Sequence, residues 1–393
     1  MNKILDNHFV KICIGGLFCA LFAFIYWQGI NHMASPYFDE THYVTAARAY
    51  SQGNFTINRE HPPLGKTLIA IGMSWKGDRP EGWRIISYLF GVGTLIGVFT
   101  WSLLLFRSLE TSLFVLIITA TNQLLYVQSR IAMLDGILVG LLVGAIVSLT
   151  YWYRHQNQDW SLILGAAFLG LAMATKWFAL FPILGLGLFV FWRSLPKKKT
   201  VIKNCLIYTG VMFATYFMTF PAGTFWQWQW DIWTGQLSVP GSHPYASSWW
   251  TWPLQLRPMW YAYEPIPASD KVRGIFFVGN PVALWLGFFA ILWTIRSALL
   301  KKSFENTMIS LGFLTCWLCW ALIPRELNFF FYYFPASIFL GLALASTFQK
   351  TRWILWTIAI MSICFFIYFI PVLDASPRAP SEIQKRQWFQ SWI

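Results

Sequence analysis

Stretches of about twenty consecutive apolar residues recur along the whole of this 393-residue chain, and no other feature narrows its possible folds so far. A helix needs roughly 20 such residues to cross the hydrocarbon core of a bilayer, because every backbone N–H and C=O must find its partner inside the segment there. Eleven segments read this way: Phe9–Gly29, Ile85–Phe106, Ser112–Gln128, Ile131–Tyr153, Ser161–Ala174, Trp177–Trp192, Cys205–Phe220, Ile275–Ile295, Met308–Ile323, Phe329–Phe348 and Trp353–Ile370. Charged residues make up only 11% of the chain, against about a quarter in soluble domains. The sequence therefore specifies an all-α integral membrane protein, and soluble classes are excluded. Glycine, alanine and serine within the segments suit close helix packing. The first segment is too long for a signal peptide and lacks a small-residue cleavage pattern, so it is expected to remain as a helix.

Lysine and arginine in the short loops set the expected orientation. With the N-terminus inside, the cytoplasmic side collects Lys3, Lys11, Arg107, Arg154, Arg193, Lys203, Arg296, Lys301, Lys302, Lys350 and Arg352, with three successive lysines from Lys197. Most of the net charge of +13 is then explained by topology, and nucleic acid is not an expected partner. All six cysteines fall inside predicted spans, so no disulfide framework is implied, and the Cys316–Cys319 spacing merely puts two thiols on one helix face.

The same topology turns two long loops outward, Ile30 to Arg84 and Pro221 to Gly274. Long loops in a compact membrane domain are usually functional. The first follows directly on the first span and holds Asp39, Glu40, Glu60, His61 and Lys66. Asp39 and Glu40 are adjacent, so on a helix their side chains diverge by about 100° and cannot both face one reacting atom. One carboxylate is suited to taking a proton from a hydroxyl nucleophile while the other orients a partner; equally, Asp39 is placed to cap the helix that reads ETHYVTAARAY. In HPPLGK two prolines fix the backbone after His61, Gly65 allows a close turn, and Lys66 opens an amphipathic stretch. That loop is able to hold one ring in place, as is any tight turn at a membrane surface. The second long loop is packed with Trp and Tyr, which suits an interfacial aromatic belt or a surface that stacks on a sugar ring. Arg130, Lys176, Arg325 and Glu326 sit in short outer turns. Each cation is able to snorkel at a span end, or the three converge on one anion such as a lipid phosphate.

The run FDE, followed by HPPLGK, SRIAMLDG, ATKWFALFP, HPYASSWWTWPLQLRPMWY, GNPVALWLG and PRELNFFFYYFPA, resembles the protein O-mannosyltransferase family over nearly the whole chain, in family order. The resemblance implies a GT-C type glycosyltransferase with about eleven transmembrane helices, two long extracytoplasmic loops, the N-terminus cytoplasmic and the active site on the outer face of the cell membrane. It implies a polyprenyl-phosphate sugar as donor and a protein hydroxyl as acceptor. By matching motif, Asp39 is similar to the family's catalytic carboxylate and Glu40 to its partner; His61 and Lys66 belong to the active-site loop; Arg130, Asp135, Lys176 and Arg325 match substrate-binding positions. The second outer loop spans only about fifty residues and has no room for the soluble domain that eukaryotic members insert, so the chain resembles the compact bacterial members. The chemistry expected of these residues is a single displacement with inversion at the sugar carbon, and no cofactor; Asp39, Glu40 and His61 are all of a type able to ligate a divalent metal, but the resemblance points away from one. The competing readings are a lipid-linked-sugar transferase acting on a lipid or polysaccharide, and a transporter or flippase. Charges gathered at one face, with no internal repeat, speak against transport.

Overall fold

The computed structural model describes residues 8–155, 158–196, 198–237, 242–323, 325 and 327–392; Lys3, Lys197 and Glu326, singled out above, lie outside them. Helix α1 (His8–Trp27) crosses to the end of the molecule where two short helices, α2 (Glu40–Ser51) and α3 (Leu64–Lys76), fill the first long loop. Helix α4 (Pro80–Phe106) returns and is followed by α5 (Leu109–Ala120), α6 (Gln123–Gln128), α7 (Leu134–Arg154), α8 (Asp159–Met173), α9 (Leu180–Ser194) and α10 (Lys198–Phe217). The second long loop carries α11 (Phe225–Leu237) and an antiparallel hairpin of β1 (Met259–Pro265) and β2 (Val272–Phe277). Four more long helices, α12 (Gly287–Lys301), α13 (Phe304–Trp317), α14 (Phe334–Phe348) and α15 (Arg352–Phe369), precede a short α16 (Pro380–Gln384).

Among the described residues seven helical segments are long and apolar enough to cross a membrane: Phe9–Trp27, Pro80–Phe106, Leu134–Arg154, Trp177–Ser194, Val282–Lys301, Phe330–Phe348 and Arg352–Val372. Leu109–Ala120 and Asp159–Met173 are shorter apolar helices. The segments Phe330–Phe348 and Leu134–Arg154 are 89% and 78% buried against 22% for Phe9–Trp27, so α14 and α7 form the centre of the bundle and α1 lies on its rim.

Several boundaries differ from the sequence expectation. The expected span Ser112–Gln128 is broken between α5 and α6 at Thr121 and Asn122. Unwound backbone at membrane depth needs polar partners, and they are supplied: the Asn280 amide donates to the Thr121 and Ser362 carbonyls at 3.1 and 2.8 Å, and Asn122 caps Leu124 N–H at 3.1 Å while donating to Ser337 at 2.9 Å. Ile275 to Phe277, read as the start of a span, are instead the end of β2, and the span begins at Val282 with a π-helical turn. Helix α4 starts at Pro80, five residues before the expected Ile85, which places Arg84 inside its first turns.

In the second loop the tryptophans divide by helical period. Trp226, Trp230 and Trp233 stand exposed along one face of α11, while Phe225, Trp228 and Ile232 are buried on the other against Ala46, Tyr50 and Ala174. The hairpin is tied to the C-terminal segment by paired backbone bonds between Val272 and Arg378, and Trp392 Nε1 donates to the Gln255 carbonyl at 2.8 Å.

Candidate active site

Asp39 stands at the N-cap position just before α2 and immediately after Phe38, whose backbone is left-handed with φ 52°. Such a conformation is rare for a bulky residue and persists where surrounding structure enforces it. Phe38 is held by stacking on Tyr261 of β1, with ring centroids 4.1 Å apart. The expected cap does not form. Asp39 already has helical φ and ψ (−66°, −14°) rather than the extended values that aim a capping oxygen at the first-turn amides, and its side chain makes no cap bond. Its carboxylate makes no hydrogen bond or ion pair with any described residue. Burial raises its pKa above the usual carboxylate value, with Lys176, His42 and Arg325 lowering it and Asp135 raising it. Lys176, Asp135 and Arg325, all drawn from distant parts of the chain, therefore lie within electrostatic reach of Asp39.

Glu40 has the opposite environment. It is fully buried, and its two oxygens accept from Arg84 Nε and Nη2 at 2.9 and 2.8 Å, from the Ala132 amide at 2.9 Å and from the Tyr37 amide at 3.4 Å. Arg84 is completed by the Ile30 and Met33 carbonyls at 2.7 and 2.8 Å. A carboxylate with both oxygens occupied has no capacity left for proton transfer to a substrate. Glu40 occupies a positioning place: it ties the start of α2 to α4 and to the turn before α7, and so fixes Asp39.

The cationic side of the site is built by Lys176 and Arg325. Lys176 Nζ sits 2.9 and 3.0 Å from the two oxygens of Asp135, and 5.5 and 5.4 Å from the Phe331 and Tyr332 ring centroids. Arg325 lies 5.7 Å from the Tyr332 ring, donates weakly to Gln236 Oε1 at 3.4 Å, and has a buried Nε with no partner. Gln236 reaches the other way to the Glu60 carbonyl at 3.0 Å, so α11 links Arg325 to the first loop.

The HPPLGK loop docks on the same corner. Leu64 N–H bonds the Ala174 carbonyl at 3.1 Å, and a Cβ on Gly65 would meet Leu134 Cδ2 at 2.5 Å and Thr175 Cγ2 at 3.3 Å. Gly65 thus serves close approach of two elements, not the turn expected of it, and it brings the loop beside the neighbours of Asp135 and Lys176. Lys66 is buried and spends its ammonium on the Asn58 carbonyl, the Asn58 side chain at 3.4 Å and the His61 carbonyl at 2.8 Å; burial lowers its pKa to about 7. It staples the loop. The His61 carbonyl also accepts from Trp228 Nε1 at 3.2 Å, while its ring lies 6.1 Å from the Tyr43 ring. Burial, then Lys176, Lys66 and Arg325, hold the imidazole well below its usual pKa.

Arg130 does not join the convergent cations. Its Nη1 donates to the Tyr26 and Gln28 carbonyls at 2.7 and 2.5 Å, and its guanidinium rests 4.7 Å from the Tyr126 ring, so it caps the C-terminal end of α1. Three tyrosines escaped the sequence reading. Tyr43, Tyr261 and Tyr332 are buried around Asp39 and Asp135 and feel the charge of both. Tyr43 was findable, because four residues after Asp39 it lies on the same helix face; Tyr261 and Tyr332 reach the site only through the tertiary fold. Among the described residues no group of three His, Cys, Asp or Glu converges as a set of metal ligands.

Comparison with known proteins gives the same corner of the chain a lineage. The family described as dolichyl-phosphate-mannose-protein mannosyltransferase matches residues 16–234, and the C-terminal four-transmembrane region of protein O-mannosyltransferase matches residues 221–392. The polyprenol-phosphate-mannose–protein mannosyltransferase of Mycobacterium tuberculosis is 24% identical, with 78% of this chain and 74% of the relative covered; that of Corynebacterium glutamicum is 25% identical, covering 76% and 74%. In fold, the chain is similar to the Saccharomyces cerevisiae Pmt1–Pmt2 complex bound to the sugar donor, with a TM-score of 0.81 at 15% identity over 96% of this chain and 92% of that one. It is also similar to ArnT from Cupriavidus metallidurans bound to undecaprenyl phosphate, with a TM-score of 0.61 at 15% identity over 90% and 63%. With more than half its length matched by the first family and every site residue described here, Arg325 included, inside the two matched regions, the chain belongs to the dolichyl-phosphate-mannose-protein mannosyltransferase family.

Proposed function

We propose that this chain is a glycosyltransferase that moves a mannosyl group from a polyprenyl-phosphate carrier to Ser and Thr hydroxyls of proteins. Family membership and the activity for which the bacterial relatives are named support the donor and the acceptor. One observation carries the chemistry: Asp39 keeps an uncommitted, largely buried carboxylate within reach of Lys176 and Arg325. A hydroxyl is a poor nucleophile, and Asp39 takes its proton as the oxygen attacks the anomeric carbon. The bond from that carbon to the carrier phosphate breaks on the opposite side, its electron pair passes to the phosphate oxygen, and the configuration inverts. The leaving phosphate needs positive charge more than it needs a proton. Arg325 supplies most of it, because its Nε is unpartnered while Lys176 is already half-neutralised by Asp135. His61 stays neutral and offers a ring nitrogen to a sugar or acceptor hydroxyl. Lys66 and Arg130 act from behind, holding the loop and the end of α1.

The reading includes eleven spans, a cytoplasmic N-terminus and catalysis at the outer face. It includes no metal, since Glu40 and Asp135, the acids nearest to joining Asp39 as ligands, are each bound to their own cation; turnover in excess chelator is the expected result. The test is a reconstituted assay with purified protein, polyprenyl-phosphate mannose and a Ser/Thr-containing peptide. Mannosylated peptide is expected. Transfer only to a lipid or polysaccharide acceptor would reject the protein acceptor, and substrate movement across vesicles without a new glycosidic bond would reject the enzyme.

A further inference from the structure

At the end of the bundle opposite Asp39 a cavity of about 1040 Å³ opens between α1 and α4. Direction along the chain fixes its place. Helix α1 runs toward Asp39 and α4 runs away from Arg84, so Lys11 at the start of the first and Arg107 just past the end of the second share the far end, together with Arg154, which ends α7, and His155 just past it. The walls are apolar: Gly15, Gly16, Cys19, Ala20 and Ala23 on α1 face Val92, Ile96, Phe99 and Leu103 on α4. The helices touch where Gly15 packs on the Phe99 ring, so closely that a Cβ there would overlap it, and beside that contact the small side chains of α1 leave a slot. A Cβ added at Gly16 would meet nothing within 4 Å.

We propose that this slot binds one anionic phospholipid of the adjacent leaflet, its headgroup held by the basic mouth and its acyl chains laid along α1. Length and charge both fit that occupant. From Lys11 to Ala23 the wall runs for twelve residues, or about 18 Å, against about 15 Å for one leaflet of a ~30 Å hydrocarbon core. The charge of the mouth is complementary to a phosphate: Arg107 is exposed, and Arg154, although paired through Nη2 with Glu305 at 2.5 Å, has a buried Nε without a partner. The site is separate from the transfer chemistry, since none of its residues is within the group that surrounds Asp39.

Purified full-length protein, released from vesicles of phosphatidylglycerol and phosphatidylcholine with identical chains, is examined by native mass spectrometry. One retained phosphatidylglycerol per chain is expected. Each basic residue near a membrane surface changes attraction by about fivefold, so the Lys11→Glu/Arg107→Glu variant should retain at least tenfold less. Gly16→Leu, whose Cβ has no neighbour within 4 Å and which favours helix, should reduce retention by narrowing the slot while leaving peptide mannosylation in detergent unchanged. Equal retention of phosphatidylcholine, retention insensitive to both variants, or a second protein chain in place of the lipid adduct would each overturn the proposal.

Discussion

Asp39 and Glu40 are neighbours in sequence with opposite surroundings, and the difference decides what each can do. Glu40 has four hydrogen-bond donors on its two oxygens, whereas Asp39 has none from the described residues. That they would diverge was legible from helix geometry alone. Which of the two stays free was not, because Arg84 lies 44 residues away and its partnership depends on how α2 packs on α4. The proton-accepting role makes a signed prediction. Burial raises the pKa of Asp39, and only the ionised form accepts a proton, so kcat should fall as pH drops through a value above the usual carboxylate range. His61, pushed far below its ordinary pKa, titrates on the same side. A pH–rate profile of His61→Gln should therefore keep the acid limb. Asp39→Asn should lose the limb together with roughly 10²- to 10⁴-fold in kcat, with donor binding within about twofold. A limb that vanished in His61→Gln and survived in Asp39→Asn would transfer the role to the histidine.

The elements that carry these residues were unequally visible. Apolar runs announced the long helices, and ETHYVTAARAY and the stretch after HPPLGK announced α2 and α3. The hairpin was hidden, because Met259–Pro265 is so aromatic that it read as part of an interfacial belt, and its alternation has a partner only once β2 is paired with it. The break at Thr121 was hidden because its compensation comes from Asn280 and Ser362, far along the chain. Arg130 misled for a similar reason: from sequence it is an outer cation, and only the fold shows α1 presenting two carbonyls to it. Between elements, the Glu40–Arg84 pair is the joint on which the site's geometry rests, with side chains 0% and 1% exposed. Removing one member of a buried pair strands the other charge and costs about 3–5 kcal/mol, while replacing both with apolar groups of similar volume is far milder. Glu40→Ala and Arg84→Met should each lower stability in that range by denaturant titration in detergent. The double variant should recover much of the loss but not full activity, because Asp39 would no longer be fixed. Additive losses in the double variant would show that the two side chains act separately.

Across the whole molecule, function depends on an asymmetry between two ends. One end gathers Asp39, Asp135, Lys176, Arg325 and the two long loops; the other carries Arg107, Arg154 and Lys301, each at or just beyond the end of a long helix that began on the side of Asp39. Basic residues at helix ends mark the side that stays cytoplasmic, which would put the chemistry outside, where an exported protein and a lipid carrier can meet. A cysteine-scanning measurement tests this directly. In a background with the six native cysteines changed to serine, Gln52→Cys places a thiol on exposed surface just past α2, and Lys301→Cys places one on exposed surface at the far end of α12. A membrane-impermeant maleimide applied to intact cells should modify the first and spare the second until the membrane is permeabilised. The contrast relies on the opposed ends and not on any single span, so it holds whether the shorter helices α5 and α8 cross fully or in part. Labelling in the reverse order would turn Asp39 toward the cytoplasm, and with it the acceptor would have to be a protein that had not yet left the cell.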